Sequence, residues 1–295
     1  MKHITRHAFW LAMLAPGVLL LGVFIAFPLI QAFNLSLYKW NGLEAPKFLG
    51  LRNFVDLFTD RYFWGAAQHT IVFAAVSTIG TVTIGLMLAL SISRRVWGHK
   101  VYRVLFYMSV LLPMTVTGAL WVRILEANFG LLNTGLRLLG LSGLALPWLA
   151  SVDYSLGTII AVTIWQFAGF PMIVLLAAIE AIPDEIQEAA TLDGANEYTR
   201  LVNITIPMIS PVLLSITMVQ LIFSFKVFDI VWVMSRGGPA ESSSVLGTFL
   251  YKEAFGQQRF GYASAISISM FSIIFFITVM YQRYVGLRAE NGVRK

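Results

Sequence analysis

Two side chains in an uncharged stretch of the chain have the types and the spacing to grip a hydroxylated solute. Gln220 and Ser224 stand four residues apart, so a helix puts them on one face, with Phe223 and Val227 beside them. An earlier stretch brings Trp165, Gln166 and Phe170 close together. Amides and hydroxyls can hydrogen-bond a sugar hydroxyl, and aromatic rings can cover the apolar face of its ring. The same residues also suit a plainer purpose, since Gln and Ser bridge helices inside membranes and aromatics face lipid. Lys226 and Asp229, three residues apart, read as an ion pair on the surface of the same helix.

Catalysis finds little to use. Without cysteine there are no disulfides, thiolate metal sites or thiol nucleophiles. The four histidines (His3, His7, His69 and His99) are scattered without ligand spacing, which predicts no metal site. A Gly-x-x-x-x-Gly-Lys-Ser/Thr phosphate loop is absent, so nothing cradles ATP. No Ser/His/Asp grouping, paired carboxylates or dinucleotide glycine motif stands out. Charged residues sit at the ends of apolar runs, whereas a proton-coupled carrier usually buries some at mid-membrane. Energy for uphill movement must then come from another subunit.

The elements that hold these residues follow from composition. The chain has 295 residues, 58% hydrophobic and 12% charged, against about 25% charged in a typical soluble domain. Six runs free of Asp, Glu, Lys and Arg approach the ~20 residues a span needs: Phe9–Phe33, Thr70–Ser93, Val104–Val122, Gly157–Ile179, Pro207–Phe225 and Tyr262–Gln282. They predict an all-α membrane protein with six transmembrane helices. The first run is too long for a signal peptide and lacks a cleavage site, so it reads as an uncleaved helix. Dense basic clusters (Lys2 and Arg6; Arg94, Arg95, Lys100 and Arg103; Arg283, Arg288, Arg294 and Lys295) place both termini in the cytoplasm. The net charge of +6 reads as this bias rather than as affinity for nucleic acid. Leu51, Phe54, Val55 and Phe58 have the spacing of a short amphipathic helix on the membrane surface. Arg236-Gly237-Gly238-Pro239 followed by Ser242–Ser244 reads as a turn-rich outer loop.

One inner segment breaks the charge rule. Between Glu180 and Ile206 lie six acids and a single Arg200. Within it stands Glu188-Ala189-Ala190-Thr191-Leu192-Asp193-Gly194-Ala195, then Ile204-Thr205-Ile206-Pro207. This resembles the Glu-Ala-Ala signature of ABC importer permeases, with Ile206 where Leu is usual. Pro183 suits the first turn of a helix, Asp184 and Glu185 favour its N-terminal dipole, and Gly194 can end it in a left-handed turn. Ala189 and Ala190 offer a thin surface for close approach. The resemblance implies a docking element for an ATPase subunit, with Glu188, Ala189, Ala190, Asp193, Gly194 and Pro207 as its coupling residues.

Phe48-Leu49-Gly50-Leu51-Arg52-Asn53-Phe54, Phe63-Trp64, Gly237-Gly238-Pro239, Tyr251, Ala254-Phe255 and Gly261-Tyr262-Ala263-Ser264-Ala265 look like the carbohydrate-uptake branch, of maltose or glycerol-phosphate type. The tail lacks the Gly-rich pattern of that branch's second permease. The resemblance therefore implies a first permease subunit with the type I fold, in a bacterial inner membrane. Its partners would be a second permease, two ATPase subunits that bind ATP and Mg, an extracytoplasmic solute-binding protein, and lipid. The chain itself would hold no cofactor. Residues 1–65 read as the first helix and outer loop, 66–284 as the permease domain and 285–295 as a cytoplasmic tail. The helix after the coupling loop would line the solute path, making Gln220, Phe223, Ser224 and Val227 candidates for contact, with Gln166 and Phe170 added by the span before the loop. Import of glycerol-phosphate or a polyol is the alternative within the family. An ion-coupled secondary transporter and a membrane-embedded enzyme are the rivals outside it.

Overall fold

The computed structural model describes residues 13–93 and 98–293, with side chains as far as Arg283. Phe9–Ala12 of the first run, the basic residues Lys2, Arg6, Arg94, Arg95, Arg294 and Lys295, and the side chain of Arg288 lie outside the described residues.

The first apolar run forms α1 (Met13–Ser36), and a two-stranded hairpin follows, β1 (Tyr38–Lys39) antiparallel to β2 (Lys47–Phe48). The surface helix predicted around Leu51–Phe58 is α2 (Arg52–Thr59). Leu51, Val55 and Phe58 are exposed and Leu57 is buried. Next comes α3 (Arg61–Ser93), at roughly 50 Å longer than the hydrocarbon layer it would cross.

Two of the six apolar runs are broken. The third becomes α4 (His99–Met108), a 3₁₀ turn and α5 (Met114–Ile124), bent by 96°. Pro113 explains the break, because a residue before proline is pushed out of the helical region, and Leu112 is extended at ψ 132°. A short α6 (Leu131–Leu138) follows. The fourth run becomes α7 (Ser155–Phe167) and α8 (Gly169–Glu180), bent by 41° where Pro171 removes a backbone donor and crowds the turn before it. The acidic segment forms α9 (Asp184–Leu192), and α10 runs over Glu197–Phe225. Then come α11 (Asp229–Met234), α12 (Leu246–Tyr251) and α13 (Phe260–Val293). Among the described residues four helices are long and apolar enough to cross a membrane, and six spans result if each bent pair counts as one.

The chain divides into two units. The first joins the chain up to Trp64 with Phe249–Phe275. Here several of the residues that carry the carbohydrate-branch resemblance are framework. The buried Asn53 amide donates to the carbonyls of Ser36 (2.7 Å) and Tyr38 (2.9 Å). Tyr262 donates to Asp60 (2.7 Å), while Arg259 lies over the Tyr262 ring and pairs with Glu253 at 3.0 Å. Gly261 approaches the Tyr38 carbonyl so closely that a Cβ would not fit.

The second unit, Gly65–Thr248 with the chain from Phe276, holds two apolar clusters among the described residues. One gathers Phe73, Ile159, Val162, Ile230 and Val231; the other gathers Ala89, Met172, Leu175, Ile209 and Ile216. Close packing of α3 on α8 depends on Gly85, where a Cβ would lie 2.7 Å from Pro171. The loop around Gly237 turns as its composition predicts, with positive φ at Arg236, Gly237, Ala240 and Glu241, and Ser243 donating to the Gly238 carbonyl.

Candidate functional site

The acidic segment closes on itself through local bonds. Pro183 caps α9 from one place before it (φ −55°, ψ 136°) rather than sitting in the first turn, while Asp184 and Glu185 occupy that turn. At the far end Gly194 is left-handed (φ +79°). Its N–H donates to the Thr191 carbonyl at 3.1 Å, and the Ala195 N–H reaches back to Ala190 at 2.9 Å. This pair of bonds makes a Schellman cap. Asn196 then caps the start of α10 by accepting from the Thr199 N–H, and Arg200 donates to the Thr191 hydroxyl at 3.0 Å. Helix, turn and helix start are thus one braced unit.

What this unit presents is acidic with an apolar tip. Glu188, Ala189 and Asp193 are exposed, whereas Ala190 is buried at 7%. Only Ala189 therefore offers the expected thin surface. The segment's one cation is turned inward on Thr191, and Glu180 is paired with Arg103 at 2.7 Å, outside the helix. Leu192 is 89% exposed and Tyr198 73%. The sequence reading passed over both, although Leu192 lies one helical turn beyond Glu188 and so shares its face. A recess of about 680 Å³ behind the unit is walled by Leu90, Ser93, Glu180, Asp184, Gln187 and Tyr198.

Pro207 does not begin the fifth span, as its position in the motif suggests. The helix starts at Glu197 and passes through a π turn at Leu201–Thr205, closed by the Ile206 N–H on the Leu201 carbonyl. α1 repeats the arrangement, with a π turn at Gly22–Ala26 just before Pro28. In both, the widened turn accommodates a ring that removes one donor and crowds the preceding turn.

The six residues expected along the solute path fall in different places. Gln166 is fully buried, its amide nitrogen donating to the Leu112 carbonyl at 2.9 Å and its backbone carbonyl accepting from Ser109. It braces the broken third and fourth runs against each other, and its Oε1 is buried without a partner. Phe170 packs against the second apolar cluster and Val227 belongs to the first. Ser224 Oγ lies 3.0 Å from Ser77 Oγ and 3.4 Å from Thr78 Oγ1, bridging α10 to α3. Gln220 is on that same inner face, 6% exposed. Phe223 points the other way and is 63% exposed, continuing an open stripe with Ser215 and Val219. Gln220 and Ser224 thus share an inward-packed face, as their spacing predicts, with the exposed Phe223 beside it. Nor do Lys226 and Asp229 share a helix. α10 ends at Phe225 and α11 begins at Asp229, and no ion pair joins them among the described residues.

Residues 81–288 match the family described as binding-protein-dependent transport system inner membrane component. The chain is 32% identical to a probable ABC transporter permease protein of Pyrococcus horikoshii, over 92% of this chain and 94% of that one. It is 30% identical to the trehalose/maltose transport system permease protein MalF of Thermococcus litoralis, over 94% of each. Its fold is similar to a chain in the crystal structure of a bacterial alginate ABC transporter in complex with an alginate pentasaccharide-bound periplasmic protein. That likeness has a TM-score of 0.81 at 25% identity and covers 95% of this chain and 94% of the other. With apolar helices enough for several spans and a family match over most of its length, the chain is a multi-pass membrane protein of the binding-protein-dependent transport system inner membrane component family.

Proposed function

We propose that this chain is one of two permease subunits of an ATP-driven sugar importer, served by an extracytoplasmic solute-binding protein. Of two ATPase subunits that bind ATP and Mg, one docks on α9; both termini are cytoplasmic, and the outward stripe of α10 borders the solute path. The observation that carries this reading is the braced, acid-faced α9 with Leu192 displayed at its tip. A rigid lever of this kind can pass a partner's closure to the helices on either side of it. The sugar assignment is supported by the trehalose/maltose permease and the alginate transporter. Glu188, Ala189, Asp193 and Gly194 act at the docking surface, Ala190 holds α9 to its own chain, and Pro207 shapes the helix behind it. Along the path, Phe223 offers a ring to the sugar's apolar face, with Ser215 as a polar neighbour.

The test is reconstitution of the permease pair, ATPase and binding protein in vesicles with radiolabelled sugars. Uptake should need ATP and loaded binding protein and should ignore ion gradients. Uptake that persists without the ATPase and collapses with an ion gradient would sink the proposal. A binding protein that retains a glycerol-phosphate or polyol in preference to a sugar would move the substrate class while leaving the coupling scheme intact.

A further inference from the structure

From Phe129 to Val152, between α5 and α7, Arg137 is the only charged residue, yet no helix there is long enough to cross a membrane. The segment turns its polar groups inward. Asn133 is fully buried, donating to the carbonyls of Ala127 and Leu146 at 2.9 Å each and accepting from Trp148 Nε1 at 2.8 Å. Arg137 folds back onto the carbonyls of Asn128 (2.6 Å) and Ala127 (2.7 Å). Its apolar groups point out: Phe129 is 90% exposed, Leu131 75%, Leu138 83% and Leu139 75%. A helix at the surface of a water-soluble protein does the reverse, hiding its apolar stripe and showing its polar one.

Beside this segment lies a recess of about 370 Å³, walled chiefly by Trp121, Leu125, Leu132, Trp148, Tyr154 and Val162, and lined also by the exposed Asp153. It opens where α5 ends and α7 begins. Trp and Tyr are the residues that favour the headgroup level of a bilayer. The wall is unobstructed at Gly157, where a Cβ would meet nothing within 4 Å.

We propose that Phe129–Leu144 lies flat in the outer leaflet and that the recess takes an acyl chain of a membrane phospholipid. The choice of leaflet rests on the proposed topology. Lipid is the occupant because the outward side offers a partner almost nothing to bond. From Phe129 to Leu144, Thr134 and Ser142 are the exposed polar side chains apart from the folded-back Arg137. A protein interface carries about one hydrogen bond per 100–200 Å², and this face cannot supply them.

The chain has no native cysteine, so single spin labels can test the placement. Leu131→Cys, Leu138→Cys and Asp153→Cys would be labelled in the complex as purified and reconstituted in phosphatidylethanolamine and phosphatidylglycerol vesicles. At Leu131 and Leu138, collision with oxygen should far exceed collision with a water-soluble nickel chelate; at Asp153 the order should invert. Chelate-dominated collision at both leucines overturns the proposal, and so does shielding from both probes, which would mean a protein partner. Should the leucine variants fail to assemble, Thr134→Cys gives the same reading from an exposed site. Adding the chelate to one side only identifies the leaflet, so a reversed topology appears as the wrong side with lipid preference kept. For the recess, native mass spectrometry should find a retained phospholipid that Gly157→Trp loses, and equal retention in both overturns that part.

Discussion

The α9 unit and the helix that follows it obey different rules. α9 and its turn are closed by hydrogen bonds that span at most nine residues, from the Pro183 cap to Arg200 on Thr191. What it displays is settled within the segment. The accessible face of α10 is decided instead by what lies against it, since Ser224 meets α3 and Ile209 and Ile216 join a cluster with Met172 and Leu175. A local unit can be read residue by residue, whereas a face of a long apolar helix cannot.

The largest effect expected tests the local side of that contrast. Gly194→Val forces a β-branched residue into a left-handed turn at φ +79°, at a cost of about 1–2 kcal/mol, and tilts the tip away from its partner. Membrane insertion should be normal, while vesicle uptake should fall by tenfold or more and ATP hydrolysis should lose its response to loaded binding protein. Gly194→Asn, which tolerates that turn better, should retain most of the activity. Equal uptake in Gly194→Val and the parent would show that the turn is not needed for coupling.

Next come Glu188→Lys and Leu192→Asp, which alter the displayed surface without touching a bond in the brace. Both should weaken ATPase retention during purification. The Glu188→Lys defect should shrink as salt rises, because exposed charges are screened. A Leu192→Asp complex of full stoichiometry would remove the apolar tip from the docking surface.

The third test addresses the face of α10. Phe223→Ala should raise the KM for uptake several-fold, since a ring contact is worth about 0.5–1.5 kcal/mol. Gln220→Ala should have a smaller effect on uptake. Ser224→Ala should leave KM alone and lower thermal stability by about 1 kcal/mol, the usual worth of one hydrogen bond. A KM defect in Ser224→Ala with none in Phe223→Ala would reverse the assignment of faces.

The smallest change is expected from Gln166→Leu. It removes the bond to Leu112 but also an Oε1 that is buried without a partner, and these effects oppose each other. A melting curve within about 1 kcal/mol of the parent is expected. A collapse of uptake with unchanged melting would mean that Gln166 does more than brace the two bends.

Much of this was legible beforehand. The apolar runs gave the helices, Leu51–Phe58 gave a surface helix, and Asp184, Glu185 and Gly194 marked the two ends of α9. The misreadings share one cause. The runs over 104–122 and 157–179 read as single spans, and how far Pro113 and Pro171 bend them depends on what packs in the bend. Gln166 is one such group. The outward leucines near Leu138 escaped notice because α6 is only two turns long, and its polar residues bond to carbonyls outside the helix, from Ala127 before it to Leu146 after it.

By itself the sequence determined that the chain is helical and membrane-embedded, because so few charges cannot cover a water-facing surface. It also determined the shape of the α9 unit, since caps and turns are bonds between near neighbours. Only the tertiary structure decided that Ala190 is hidden and Leu192 displayed, that Gln166 braces a bend, and that Phe223 rather than Gln220 faces outward. An apolar helix can bury any of its sides, and packing against distant helices selects among them.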